Sequence, residues 1–272
     1  MFSRALLFRH RWLTALLVVS SGVLELSALE TTSNDSIAVV TSMRGDAAIV
    51  PAGMSGIGIE PHQSLLLSGA KIETSEKAYL FLAFSNGLGM GIDSSTIVHC
   101  QSYTQEPFKE NRENLDFEPS TSKLELDLEA GALSFVCEGL SPRSQIRVIT
   151  PNGTLRIHSA HCHIEINEAG TQITVYSGTA TFYYPDGESR EFLSHSTSVR
   201  ISPQSAAMGK IAEKIGFEDT PKADRVFTEA AQHATKRVYF KAPKNGKTAE
   251  PILIMPLQTY EQPTARPYEY QD

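Results

Sequence analysis

From Ile37 to Ile201 the chain runs in short apolar stretches that alternate with polar residues at every second position, and turn-forming residues separate the stretches. Period-two alternation puts apolar side chains on one face of an extended strand and polar ones on the other. The pattern predicts strands over 37–42, 46–50, 78–84, 88–92, 96–100, 123–128, 132–137, 145–149, 154–158, 162–166, 172–176, 179–184, 190–193 and 197–201. Turn signals fall at Asn86-Gly87, Ala130-Gly131, Asn152-Gly153, Ala169-Gly170, Ser177-Gly178 and Asp186-Gly187. The glycine of each pair supplies the positive φ of a tight turn. Many short strands with no helical stretch between them imply an all-β fold, a twisted β-solenoid or a sandwich-like stack, and not a doubly wound α/β sheet.

The rhythm breaks in three places. Residues 101–122 are polar and contain Pro107 and Pro119, which reads as a surface loop. After Pro203 the spacing turns helical over 205–217 and 221–240, with Val226, Ala230 and Ala234 on one face and Phe227, Ala231 and Val238 beside it. From Lys241 the chain carries Pro243, Pro251, Pro256, Pro263 and Pro267, the composition of an extended or disordered tail in which Ile252 to Met255 form a small apolar patch. The expected organisation is a signal peptide over 1–28, a β domain over 37–202, a helical segment over 205–240 and a Pro-rich disordered tail over 241–272.

The first residues set the expected compartment. Arg4, Arg9 and Arg11 precede the short apolar run Trp12 to Val19, and small residues follow up to Ala28. This is the layout of a secretory signal, too short for a spanning helix of about 20 apolar residues. The expected location is therefore the periplasm or the exterior, with membrane association only through an uncleaved N-terminal segment. The net charge is −7 in 272 residues with no long Lys/Arg run, which argues against nucleic-acid binding. Cys100, Cys137 and Cys162 make an odd count with spacings that match no metal signature, leaving one disulfide plus a thiol or three buried thiols open.

Only one stretch is dense in potential ligands: His158, His161, Cys162, His163 and Glu165. On a strand, His161, His163 and Glu165 share one face and Cys162, Ile164 and Ile166 the other. Two imidazoles and a carboxylate suit zinc, but ligands on a single strand point in parallel rather than to one centre, so an exposed polar face is the favoured reading. The alternating Glu125, Asp127 and Glu129 read as the solvated side of a strand. Gly87, Gly89 and Gly91 run into a strand and not a helix, so they form a turn or bulge rather than a phosphate cradle. Ser134, Ser141, Cys137 and Cys162 lie in no nucleophile motif. Of the aromatics near the last strands, Phe182 and Tyr184 share one face and are assigned to the core, with Tyr176 and Tyr183 nearby. No catalytic residue, no cofactor and no metal site is predicted.

Several phrases in this strand series resemble the FecR domain family. Ser68 to Thr74 (SGAKIET) is similar to its G-D-x-I-x-T stretch. Ala78 to Gly87 resembles its alternating strand that ends in a D-G-S turn, and Leu124 to Leu133 its x-L-x-L-x-x-G-x-L segment. Ile146 to Gly153 (IRVITPNG) is similar to F-x-V-x-T-P-x-G, and Ile173 to Thr181 to the closing V-x-V-x-x-G-x-V strand pair. Gly69 is followed by Ala70 where the family has an acid, and His161-Cys162 stand where it has G-T. The resemblance implies an extracytoplasmic sensing module. Family members that regulate sigma factors carry an anti-sigma segment and a transmembrane helix before this domain. Neither precedes the signal here, so what carries over is the β module binding a protein or polymer of the envelope. The alternative of another class is a metal-dependent hydrolase built on His161, His163 and Glu165.

Overall fold

Alternating strands expose one unsatisfied ladder edge after another until each finds a neighbour, and the arrangement of neighbours defines this fold. The structure, a computed structural model, describes residues 36–109, 117–210, 213–242 and 249–253; the predicted signal peptide lies outside them. In chain order the strands are β1 (Ile37–Arg44), β2 (Ala47–Val50), β3 (Ile57–Gly58), β4 (Ser64–Leu66), β5 (Ala70–Thr74), β6 (Tyr79–Phe84), β7 (Gly89–Ile92) and β8 (Ile97–Gln105). Then come β9 (Ser122–Cys137), β10 (Gln145–Thr150), β11 (Gly153–Asn167), β12 (Gly170–Tyr183), β13 (Arg190–Ser194) and β14 (Thr197–Ile201). Beyond these lie helix α1 (Pro203–Ala207), β15 (Glu213–Ile215), helix α2 (Lys222–Thr235), β16 (Val238–Lys241) and β17 (Glu250–Leu253).

Strands β1 to β15 form one hydrogen-bonded sheet that folds over itself. One half runs β3-β2-β5-β8-β9-β10-β11-β12-β13 and the other β4-β1-β6-β7-β9-β11-β12-β14-β15, so the long strands β9, β11 and β12 belong to both. Leu124, Leu126, Ile146, Val148, Leu155 and Phe182 of the first half form one core with Leu82, Phe84, Leu133, Phe135, Ile164 and Val199 of the second. Each such side chain stabilises the fold by about 1.5–3 kcal/mol relative to exposure. The all-β, sandwich-like expectation holds.

Two predicted turns are bends instead. Ala130-Gly131 and Ser177-Gly178 lie within continuous β9 and β12. Gly131 has φ +82° and a Cβ there would run into Thr96, whose hydroxyl accepts the Ala132 N–H at 3.0 Å; Gly178 has φ +78° and faces the Ser159 carbonyl. Glycine in the left-handed region lets a strand turn the corner of the sandwich as one element, with bulges in the ladder beside the bend.

Other boundaries also move. The predicted loop 101–122 loses its first residues to β8, because a bulge between Cys100 and Ser102 shifts the phase and turns Tyr103 and Gln105 inward. The predicted helix over 205–217 shrinks to α1, which Ser202 caps and Gly209 at φ +56° ends; β15 then pairs with β14. On α2 the buried face is Thr228, Ala231, Ala234 and Thr235, while Val226 is 63% exposed, so the apolar stripe sits about one residue round from the predicted one. Part of the predicted disordered tail is ordered: β17 pairs with β16, joining Val238 to Leu253. Residues 254–272 lie outside the described residues. Among the described residues no helix is long and apolar enough to cross a membrane. Cys100, Cys137 and Cys162 are buried and form no disulfide, the three-thiol alternative.

Candidate functional site

The second half of the sandwich has an outer face too apolar to leave open, and the C-terminal segment covers it. Helix α2 sets Ala231, Ala234 and Phe227 on Phe81 and Val136, while Val238 and Phe240 of β16 cover Ile37, Val39 and Ala83. The glycines of β7 make the helix seat. A Cβ on Gly89 would run into the Ala231 carbonyl, and one on Gly91 would lie 2.7 Å from the Phe227 ring. The glycine-rich stretch is thus a strand stripped of side chains so that a helix can approach.

The histidine-rich strand β11 runs under this cover. Cys162 and Ile164 turn into the core, and His161, His163 and Glu165 turn outward. The outward residues diverge. His161 Nε2 lies 2.6 Å from Glu138 Oε1, whereas His163 Nδ1 lies 2.8 Å from Ser134 Oγ, with its Nε2 3.9 Å from Asp224 Oδ2 of α2. His158 is on the other half, its Nε2 2.9 Å from Thr181 Oγ1. Among the described residues no group of three His, Cys, Asp or Glu side chains converges to hold a metal ion. The predicted exposed polar face needs correcting at His163, which α2 leaves only 4% exposed.

Ser134, His163, Thr228 and Asp224 bring together the residue types of a hydrolytic triad, but the hydrogen bonds run the wrong way for one. The Thr228 hydroxyl donates to the Asp224 carbonyl at 2.8 Å. The 2.9 Å contact between Ser134 and Thr228 must then use the Ser134 proton, which leaves Ser134 Oγ to accept from His163 Nδ1–H. The imidazole therefore donates to the serine and is not its base. Burial holds His163 neutral, with its pKa down to about 4. Burial, with Glu165 and Asp93 adding like charge, pushes Asp224 up to about 6. Ser134 is fully buried. The chain serves to pin α2 to the sheet. Ser134→Ala strands the His163 and Thr228 partners and should cost about 1–3 kcal/mol in urea unfolding.

The other nucleophile candidates are likewise engaged or sealed. The Ser141 hydroxyl oxygen accepts the Arg143 N–H at 3.4 Å, and the Ser141 N–H donates to Glu118 Oε2 at 2.8 Å. Burial raises both the Cys137 and the Cys162 thiol, the latter to about 12, which keeps them from the reactive thiolate form. Sequence reasoning missed Asp224 and Thr228, because neither lies near β11 in the chain. The only available signal was the polar pair Asp224 and Thr228 one turn apart on an otherwise apolar helix face.

Among the described residues the first half of the sandwich leaves its outer face open. Registered pairs lay out two rows across it: Lys71, His99, Asp127, Ile149, Thr154, Tyr183 and Arg190; and Ser102, Glu125, Arg147, Arg156, Thr181 and Phe192. Glu125, Asp127 and Glu129 sit on this polar side, as predicted from their alternation. Lys71 pairs with Glu73 at 2.6 Å, and Glu125 lies 3.8 Å from Arg147 and 3.9 Å from Lys123. At the end of the face, Thr104, Glu106, Lys123, Arg143 and Gln145 line an open groove of about 330 Å³. The face has the extent and mixed polarity of a recognition surface and no enclosed reaction centre.

Residues 70–181 match the protein family described as FecR protein, a stretch narrower than the one that carries the sequence resemblance. No curated protein matches the chain. Two solved structures of candidate anti-sigma factors from Parabacteroides distasonis are similar. The one at 2.50 Å resolution has 10% identity and a TM-score of 0.40, with the match covering 54% of this chain and 59% of that one. The one at 1.65 Å has 12% identity and a TM-score of 0.37 and covers 70% of this chain and 87% of that one.

Proposed function

We propose, from the match of residues 70–181 to the FecR protein family, that this protein is an exported, non-enzymatic module of the signalling type that binds a protein or polymer partner in the cell envelope. The observation that carries this reading is the asymmetry of the sandwich. One outer face is sealed by α2 and β16, and the other is, among the described residues, uncovered, polar and continuous over nine strands. The groups with the chemistry of a hydrolase lie under the seal, where a substrate has no path to Ser134 or His163. Export rests on the basic, apolar and small-residue sequence of positions 1–28.

Chemical crosslinking of the full chain in its native envelope, followed by pull-down and cell fractionation, tests the reading. It predicts a heterologous adduct in the extracytoplasmic fraction. Adducts between copies of this chain alone would point to a self-associating structural protein. Stoichiometric zinc in the purified protein that disappears on replacing His161 and His163 would point to the hydrolase.

A further inference from the structure

The open face is not evenly charged. Its β5-to-β9 side carries Glu73, Glu125, Asp127 and Glu129 beside Lys71 and Lys123, whereas the β10-to-β13 side carries Arg147, Arg156 and Arg190 and no carboxylate. Glu191 of β13 sits opposite Phe182 and shares that residue's side of the sheet. Arg147 and Arg156 are directly opposed across β10 and β11, an arrangement of like charges that destabilises a sheet. Among the described residues Arg156 and Arg190 make no ion pair. In a chain of net charge −7, three arginines gathered on one side of one face mark a surface that meets opposite charge.

The same side ends on an open strand edge. Among the described residues β13 pairs only with β12, which leaves its other edge along Arg190–Ser194 without a ladder partner. Phe192 there is 70% exposed, and the Arg190 guanidinium lies 5.2 Å from its ring centroid. Exposed aromatic and arginine side chains are the anchors that protein partners use, and free N–H and C=O groups along an edge suit another polypeptide chain. A polysaccharide has no backbone that could continue the ladder in register.

We infer that β10 to β13, with the free edge of β13, form the docking surface for an acidic protein partner. The partner adds an extended segment beside β13, packs an apolar side chain on Phe192 and lays carboxylates over Arg190, Arg156 and Arg147. The inference rests on the binding role proposed above and deepens it.

Fluorescence anisotropy on the purified full chain tests it with labelled short peptides that alternate Glu with Val or Tyr. Controls carry Lys for Glu, or the same acids interrupted by Pro. The acidic strand-forming peptide binds, and both controls bind at least about tenfold more weakly. Arg156→Glu with Arg190→Glu, and separately Phe192→Ser, weaken binding by about tenfold or more, while Lys214→Glu on β15, outside this face, does not. The Arg156, Arg190 and Phe192 side chains are on the open face, so thermal unfolding should confirm that the variants remain folded. Affinity indifferent to the reversal, full competition by polygalacturonate, equal binding of the proline-interrupted peptide, or no saturation by about 1 mM overturns the inference. A crosslinked envelope partner that survives the reversals would remove this surface and leave the binding role standing, whereas the lack of any heterologous adduct removes the role itself.

Discussion

Gly89→Val should detach helix α2 from the sheet. The branched side chain has to occupy the space of the Ala231 carbonyl and of Thr235 Cγ2, which would lie 2.8 Å from even a single Cβ. The first obstacle is helix backbone, which has no rotamer to escape into. Valine suits a strand better than glycine by under about 1 kcal/mol, but overpacking a closed interface costs about 1–3 kcal/mol and more where backbone must move. The clash wins, and a net loss of about 3 kcal/mol is expected in urea unfolding. Release of α2 would also loosen the backbone around Lys222, Arg225, Lys236 and Arg237, whose side chains are already exposed, so limited trypsin digestion should cut the variant in this segment at a rate the native protein does not show. Gly91→Ala is the milder companion, because its neighbour is the Phe227 ring, which can turn. Unchanged stability and digestion of Gly89→Val would mean that α2 does not rest on β7.

Substitution on either side of the His163–Asp224 contact should give stability opposite pH dependences. Asp224 has a raised native pKa, so its contribution is present below the unfolded carboxylate value of 3.8 and is lost as pH rises through about 6. His163 has a lowered native pKa, so its contribution is present above 6.5 and is lost as pH falls through about 4. Between these limits the two slopes oppose one another. Unfolding the chain there moves a proton from the buried carboxyl to the freed imidazole and changes the total bound very little. In Asp224→Asn the histidine slope stands alone, and the variant should lose about 3 kcal/mol relative to its own neutral-pH stability as the medium is taken from pH 6.5 to about 4. In His163→Gln the aspartate slope stands alone, and stability should fall as pH rises from about 4 to about 6. Urea midpoints measured across this range read both slopes. Parallel pH profiles for the two variants would show that neither group is held as the geometry describes.

Both outcomes rest on residues whose roles were invisible in the linear pattern. Gly89 and Gly91 read as a turn or bulge, because nothing in a run of glycines states which object comes close to it. Asp224 and Thr228 lie far along the chain from Ser134 and His163, and only the path of the chain after β14 brings them together. The predicted turns at Gly131 and Gly178 show the complementary limit. The sequence marks that a positive φ is needed there, and a hairpin and a bent continuous strand satisfy that need equally well.

Alternation by itself determined that the chain is built of strands, which side chains they bury and which acids they turn to water, because a two-residue repeat is a property of extended backbone alone. The tertiary structure alone decided that β9, β11 and β12 serve both halves of one sandwich, that His163 lies beneath a helix while the arginines of β10 to β13 remain open, and that the three buried thiols form no disulfide. Those outcomes depend on which distant segments meet. Many pairings bury a given apolar face equally well, and the choice among them is made by the packing of the whole chain.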